Sequence, residues 1–475
     1  MYEERRSRSW GHVAFRVIAG ALLALLVGAA WVRHVEVPAQ AQFNDPLEHF
    51  KYGSIGTEAE EGLPYWLWQV MPRVCPDKLP GPGGYASFGF HWEPGRELPI
   101  GFPKKNERIG VNCAFCHTTR VRTAPDAAPL LVHAGPGNVT NPQAYARFLQ
   151  DCTADSRWNA SNVMAEIGKL TSLSWGESFL YRFVYVGAAR RALARQRDTF
   201  AWMYKRPDYG PGRVDPFNPP KFSFLSQPMD DTIGTADIPP IWNMKLRRNM
   251  RLHWDGMNPS FREVAVSSAI GDGASRKAVD TAGLKRVEDW VMELPPPKYP
   301  LPIDEQLASA GRTVYDATCA SCHAVGQSRV GTVVPVEEVG TDRHRLDMWT
   351  TGAADAFNAY GAGYDWRLSQ FRKTNGYVAM PHDALWIRAP YLHNGSVPTL
   401  TDLLEPPERR PKVFYRGFDL YDPQKVGFVS SGADAERYGF KYDTSLPGNG
   451  NGGHLFGTTL SADDKRALIE FLKTQ

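Results

Sequence analysis

Cys113-Ala114-Phe115-Cys116-His117 and Cys319-Ala320-Ser321-Cys322-His323 are one pattern, C-x-x-C-H, written twice. Two thiols at this spacing add across the vinyl groups of a haem and fix the ring to the chain. The histidine that follows is then held under the iron as its proximal ligand. A zinc knuckle wants a second ligand pair nearby, and a redox dithiol gives no reason for a histidine after each pair. Cys113, Cys116, Cys319 and Cys322 are therefore expected to attach two covalently bound haem c groups, with His117 and His323 as iron ligands. Of the 6 cysteines, Cys75 and Cys152 remain. In an oxidising compartment they could pair, and two unrelated buried thiols fit as well.

The elements that must position these motifs read as mainly α. Apolar residues recur at spacings of three and four over 142–152, 160–170 and 177–203, so three helices are expected between the motifs. A shorter helix is expected at 58–69, within a Pro- and Gly-punctuated stretch whose Tyr65, Trp66, Trp68, Phe88, Phe90 and Trp92 serve as core or as pocket lining. A helix at 281–294 closes the first half. Five prolines fall within the nine residues Leu294 to Pro302, which excludes helix and central strand. The expected division is a signal peptide or membrane anchor at 1–41, an N-terminal haem c domain with a helical insertion at 42–294, a linker at 295–302 and a C-terminal cytochrome c domain at 303–475. In that last part a helix at 304–317 carries Gly311 and Tyr315 on one face and delivers Cys319. A helix at 461–473, with Ser461 as N-cap and Asp464 three residues on, ends it. The Gly-rich run 447–454 reads as a tight loop.

The bulk numbers bound the partners. Lys+Arg 54 against Asp+Glu 51 leaves a formal charge of +3, which argues against nucleic acid. At 43% hydrophobic residues the chain can build real cores, and 14 Trp, 37 Pro and 43 Gly suit a loop-rich fold wrapping a flat cofactor. Arg5, Arg6, Arg8 and Arg16 precede an unbroken apolar run at 17–32, and Arg33 follows. A cleaved signal, with Ala39-Gln40-Ala41 as the site, and an uncleaved anchor both fit, and the anchor is favoured. Either one places the rest outside the cytoplasmic membrane, in the periplasm or another extracytoplasmic space. The basic stretch 190–197 is a solvated helix face or a docking site for an acidic electron-transfer partner.

Arg388-Ala389-Pro390-Tyr391-Leu392-His393-Asn394-Gly395 resembles the A-P-Y-x-H-[ND]-G motif of bacterial di-haem cytochrome c peroxidases. Residues 238–243 with Trp254-Asp255-Gly256 resemble that superfamily's P-T-x-x-N and F-W-D-G segments. The stretches 377–404 and 448–454 are similar to its rubber-oxygenase-like branch. The likeness implies two divergent cytochrome c-like haem domains with large loop and helical insertions, and a place for Trp254 between the haems, assisting electron passage. It also bears on the sixth ligand of the second haem, for which composition leaves His344, Met380, His382, His393 and His454 open. The peroxidase methionine position falls on Pro407, which has no ligand atom. The rubber-oxygenase-like branch uses the motif histidine itself, which implies His393, with Met380 as runner-up. In the first half Asp231 stands where peroxidases have a displaceable distal histidine. Ala274 stands where they have an acid–base glutamate.

Two functions follow as expectations. One is an exported di-haem oxidoreductase of the peroxidase or oxygenase kind. Here His117 and Trp254 serve catalysis, the haem on His117 meets dioxygen or peroxide, and the haem on His323 and His393 relays electrons to or from a protein outside the cytoplasmic membrane. The other is a pure electron-transfer cytochrome with both haems six-coordinate, His91 or Met229 reaching the first iron.

Overall fold

The computed structural model describes residue 20 and residues 43–475 apart from residue 61. The apolar run at 17–32 lies, but for Gly20, outside the described residues. Among the described residues, no helix is long and apolar enough to cross a membrane.

Two helix crossings set the frame. In the second half Asp304 caps the helix Glu305–Thr318, its carboxylate accepting from Leu307 N at 3.0 Å. Ser461 caps the helix Ala462–Leu472, its hydroxyl accepting from Asp464 N at 3.1 Å. The two helices cross where Gly311 abuts the backbone of Ala467, so closely that any side chain at 311 would overlap the Ala467 carbonyl. Tyr315 and Phe471 then meet one turn further, with ring centroids 5.0 Å apart. The crossing fixes the C-terminal end of the first helix, and Cys319 is its C-cap.

The first half repeats the arrangement with different residues. The helix Pro46–Tyr52, capped by Asp45, packs on the helix Thr281–Glu293. Gly283 leaves room for the Ser54 carbonyl, and Phe50 meets Trp290 at 4.7 Å. Seven residues are too few to show a period, which is why 46–52 reads as irregular from sequence alone. The helix expected at 58–69 is displaced to Tyr65–Val74. Gly62 and Pro64 account for the shift: a short strand, Leu63–Pro64, pairs with Arg108–Ile109 before the helix can begin.

The strands are short antiparallel pairs, and two of them follow the two motifs. Thr118–Val121 pairs with Leu130–His133, and Val333–Pro335 pairs with Gly376–Val378. The inserted helices form as the periodicity requires: Pro142–Ala154, Ala160–Gly168, and Trp175–Leu180 continuing through a π turn, Tyr181–Tyr185, into Val186–Thr199. Cys75 and Cys152 are joined in a disulfide that ties the insertion to the end of the helix Tyr65–Val74. No regular element lies between Glu293 and Glu305, and this Pro-rich stretch is pinned by Trp386 Nε1 donating to the Pro297 carbonyl at 3.0 Å. The apolar cores run across the linker. Val121, Val132 and Trp242 pack with Trp386, Tyr421 and Leu468, and Ile55 and Phe217 pack with Trp349 and Phe357. Arg122 Nε donates to Asp419 at 2.8 Å in the same interface.

Candidate haem centres

Each C-x-x-C-H motif is one short helical turn held from outside. For the first, Cys113–Cys116, Asn112 is the N-cap: its Oδ1 accepts from Ala114 N at 3.0 Å, while its Nδ2 donates to Gly53 O at 2.9 Å. That ties the motif to the end of the helix Pro46–Tyr52. Phe115, between the cysteines, enters an aromatic core with Phe90 at 5.3 Å and Phe102 at 5.4 Å. Tyr65, Trp68, Phe88 and Phe90 are buried in this core and act as packing, whereas Trp92 is exposed. The second motif follows directly from the helix crossing, with Cys319 N donating to Tyr315 O at 2.8 Å and His323 N to Cys319 O at 3.1 Å. Neither cysteine pair forms a disulfide. Burial pushes Cys113 up to about 12 and Cys319 up to about 11, so as thiols these groups stay protonated.

The histidines fit an axial ligand's requirements. His323 Nδ1 lies 2.7 Å from the Met380 carbonyl. A carbonyl only accepts, so Nδ1 carries the proton and Nε2 keeps its lone pair for a metal. Burial lowers the pKa of His323 and takes that of His117 down to about 4, with the carbonyls of Gly135 and Pro239 opposing the shift at His117. Both rings are thus neutral, as iron ligation requires. Nδ1 of His117 is buried with no partner in hydrogen-bond geometry.

Around His323 stand two more imidazoles. His382 stacks on it at 4.1 Å and 15°, and His454 lies at 6.3 Å. Burial holds His382 well below its ordinary value and His454 at about 4. The His382 ring thus lies alongside that of His323. His393 is elsewhere. It is buried, stacks on Tyr377 at 4.1 Å, and its Nε2 is 3.0 Å from the Tyr377 hydroxyl. That hydroxyl donates to the Asp342 carbonyl at 2.5 Å, so toward the imidazole it accepts, and His393 carries its proton on Nε2. Tyr377 and Met380 are three residues apart on extended chain, roughly 10 Å. His393 and His323 are thus both held by the stretch 377–380, one through the Tyr377 hydroxyl and the other through the Met380 carbonyl.

Trp254 lies against the strand Gly376–Val378. Its carbonyl accepts from Val378 N at 2.8 Å, and its ring packs with Val336, Leu346 and Tyr377. Its Nε1 donates to Asp237 O at 2.7 Å, and Asp237 N donates to His393 O at 2.8 Å. The next residue, Ile238, reaches Gly137, which abuts the Cys116 carbonyl. A continuous path of packed groups therefore runs from Cys116 through 237–238 and Trp254 to Tyr377.

Two features escape the sequence. Arg345 is 2% exposed with Nε and Nη1 unpartnered, and its charge bears on His393. A buried cation can be assigned only after the fold closes around it. Asp272, the C-cap of the helix Phe261–Gly271, is near enough for its charge to raise Cys113 and Cys116. Its own side chain is exposed to solvent. It is two residues from Ala274, and an aspartate in that register was the signal to follow. Asp231 forms no contact with His117, and Met229 is 58% exposed.

Residues 376–415 match a family model described as RoxA-like, cytochrome c-like. Two proteins of Sinorhizobium fredii are similar to parts of the chain. The uncharacterized protein y4iJ is 31% identical over 255 residues, which cover 39% of this chain and 42% of that protein. The uncharacterized protein y4iM is 29% identical over 309 residues, covering 54% of this chain and 69% of that protein. The chain thus spans less than half the length of the first relative. The matched stretch holds Tyr377, Met380, His382 and His393, so this part of the second half resembles a RoxA-like, cytochrome c-like domain, and such a domain implies covalently bound haem c.

Proposed function

We propose that the chain is an exported di-haem oxidoreductase of the peroxidase or oxygenase kind. His117 would hold a haem that supplies dioxygen or peroxide chemistry, and His323 with His393 would hold an electron-relay haem. The observation that carries this reading is the pair of C-x-x-C-H motifs, each ending in a half-buried, neutral histidine on a turn fixed by its own helix crossing. Haem supplies the redox iron: an open face suits oxygen or peroxide chemistry, and two protein ligands suit electron transfer.

The remaining roles belong to the chain. The Met380 carbonyl orients His323. Tyr377 holds the His393 ring in place by stacking and by its hydroxyl. Arg345 offers the buried, unpartnered donors that a haem propionate satisfies. Asp272 is an acidic group whose charge reaches the first attachment site. Trp254 and the 237–238 segment fill the space between the centres and assist electron passage. The Cys75–Cys152 disulfide supports an extracytoplasmic location. Electron donors or acceptors would be proteins of that compartment.

A second reading, a pure electron carrier, draws on His91. It is held neutral by burial, with Nε2 unpartnered, and its carbonyl accepts from Ile100 beside the Gly101–Phe115 contact of the first motif. Pyridine haemochrome analysis of the purified chain should give two haem c per chain, and one per chain rules both readings out. Carbon monoxide added to the reduced protein should shift the Soret band of one haem. No shift leaves the electron carrier.

A further inference from the structure

The longest helical run of the insertion shows an apolar face with nothing on it. Its inner side is ordinary core: Tyr181, Val186, Ala189 and Leu193 are buried. Its outer side carries Trp175, 77% exposed, Phe179, 38% exposed, and Phe183, 67% exposed. These stand four residues apart and their rings contact in series, 6.1 Å from Trp175 to Phe179 and 5.0 Å from Phe179 to Phe183. The π turn Tyr181–Tyr185 takes up an extra residue, and Arg182, Phe183 and Val184 are all turned outward there. A capping box, Ser174 with Glu177, fixes the start of this run, so the stripe is an ordered surface. Contiguous exposed aromatics of this kind mark an interaction site.

Charge identifies the occupant. Between residues 169 and 206 there are eight Lys and Arg against two acidic residues, in a chain that is otherwise balanced. Arg182, Arg191 and Arg195 are exposed and have no ion-pair partner among the described residues, while Arg197 has Asp151 at 3.5 Å. Trp and Phe on one side with arginines alongside is the composition of a helix lying in the headgroup region of an anionic bilayer. The sequence ahead of the described part adds sixteen apolar residues, 17–32, between Arg16 and Arg33. Residues 33–42 extend at most ~35 Å, so a chain held in a bilayer by that run carries its folded part within reach of the lipid.

We infer that the helical run 175–197 is a membrane-docking face that seats Trp175, Phe179 and Phe183 in the interfacial layer of an anionic bilayer, with Arg182, Arg191 and Arg195 on the lipid headgroups. The face lies on the inserted helical block, and only the uniqueness of the label used to test it rests on the haem assignment.

The test uses the full, haem-loaded chain with Phe183→Cys carrying an environment-sensitive fluorophore. The native cysteines are engaged by haem or by the disulfide, so the label is unique. Tyr438→Cys, exposed on a different element, is the control. Vesicles of phosphatidylglycerol and phosphatidylcholine in equal parts should shift the 183 label to the blue and bring it within range of bromine-labelled lipid, while the 438 label stays in water. Arg191→Glu with Arg195→Glu should weaken the response about tenfold or more. An unmoved 183 label overturns the inference, as does an equal response to pure phosphatidylcholine. A blue shift that grows with protein concentration in the absence of lipid also overturns it, and assigns the face to a second copy of the chain.

Discussion

The Tyr377 hydroxyl accepts the Nε2 proton of His393 at 3.0 Å while donating its own proton to the Asp342 carbonyl. The nitrogen that the proposed ligation needs is thus occupied by a hydrogen bond, and Tyr377 competes with iron for it. Tyr377→Phe should raise the low-spin fraction of the second haem, read from its optical and paramagnetic resonance spectra, and His393→Ala should convert that haem to high spin. If Met380→Ala or His382→Ala gives the high-spin form and His393→Ala does not, the ligand is misassigned.

The Gly311 crossing is the tightest backbone approach in the second half. Gly311→Ala pushes a methyl into the Ala467 carbonyl, and an overlap with backbone cannot be relieved by a rotamer change. A loss of about 3 kcal/mol or more is expected from denaturant unfolding, with reduced haem attachment at Cys319. Gly176→Ala, where nothing lies within 4 Å of an added Cβ, should leave stability unchanged or raise it by up to ~1 kcal/mol.

How far the sequence carries depends on length and chemistry. The helices at 142–154, 281–293, 305–318 and 462–472 are legible because each shows several turns of period and most carry a side-chain cap. The Gly311–Tyr315 face is legible for the same reason. The helix Pro46–Tyr52 is not, since seven residues cannot show a period and its partner lies more than two hundred residues away. The attachment sites are fully written in their five-residue motifs. The environment of His393 is not, because it is assembled from Asp237, Arg345 and Tyr377, which no local pattern links. The Cys75–Cys152 pairing is likewise a product of tertiary structure, and either outcome suited the sequence.

That disulfide closes a loop of 77 residues across the aromatic core. Removing both cysteines by Cys75→Ala and Cys152→Ala should lower stability by about 4 kcal/mol on the chain-entropy model. The loss should appear as an earlier unfolding of the helical block in hydrogen exchange. A midpoint within experimental error of the parent would mean the packing of Phe148 and Trp158 suffices there.

Acid should destabilise the first half through its histidines. Burial holds His91 at about 3, and His133 and His253 at about 4, against about 6.5 in an unfolded chain. Between those values the unfolded chain binds more protons than the folded one, so stability rises with pH from about 4 to about 6.5 and is lost on acidification through that window. Denaturant midpoints should fall from about pH 7 to about pH 5, and His91→Phe should flatten the dependence. An unchanged slope in that variant would mean His91 is protonated in the fold.

Trp254 is the last link between the two attachment sites, and its indole N–H is what fastens it to Asp237, whose own N–H holds His393. Trp254→Phe keeps an aromatic ring against Val336, Leu346 and Tyr377 but loses that bond. Unfolding stability should change by about 1 kcal/mol. Electron passage is the sensitive readout. With the second haem pre-reduced, oxidation by dioxygen or peroxide at the first should slow several-fold in Trp254→Phe and further in Trp254→Ala, while carbon monoxide binding to the fully reduced protein is unaltered. Equal oxidation rates in parent and both variants would assign Trp254 to packing alone. The electrons would then cross by the 237–238 backbone, where Ile238 meets Gly137 beside Cys116.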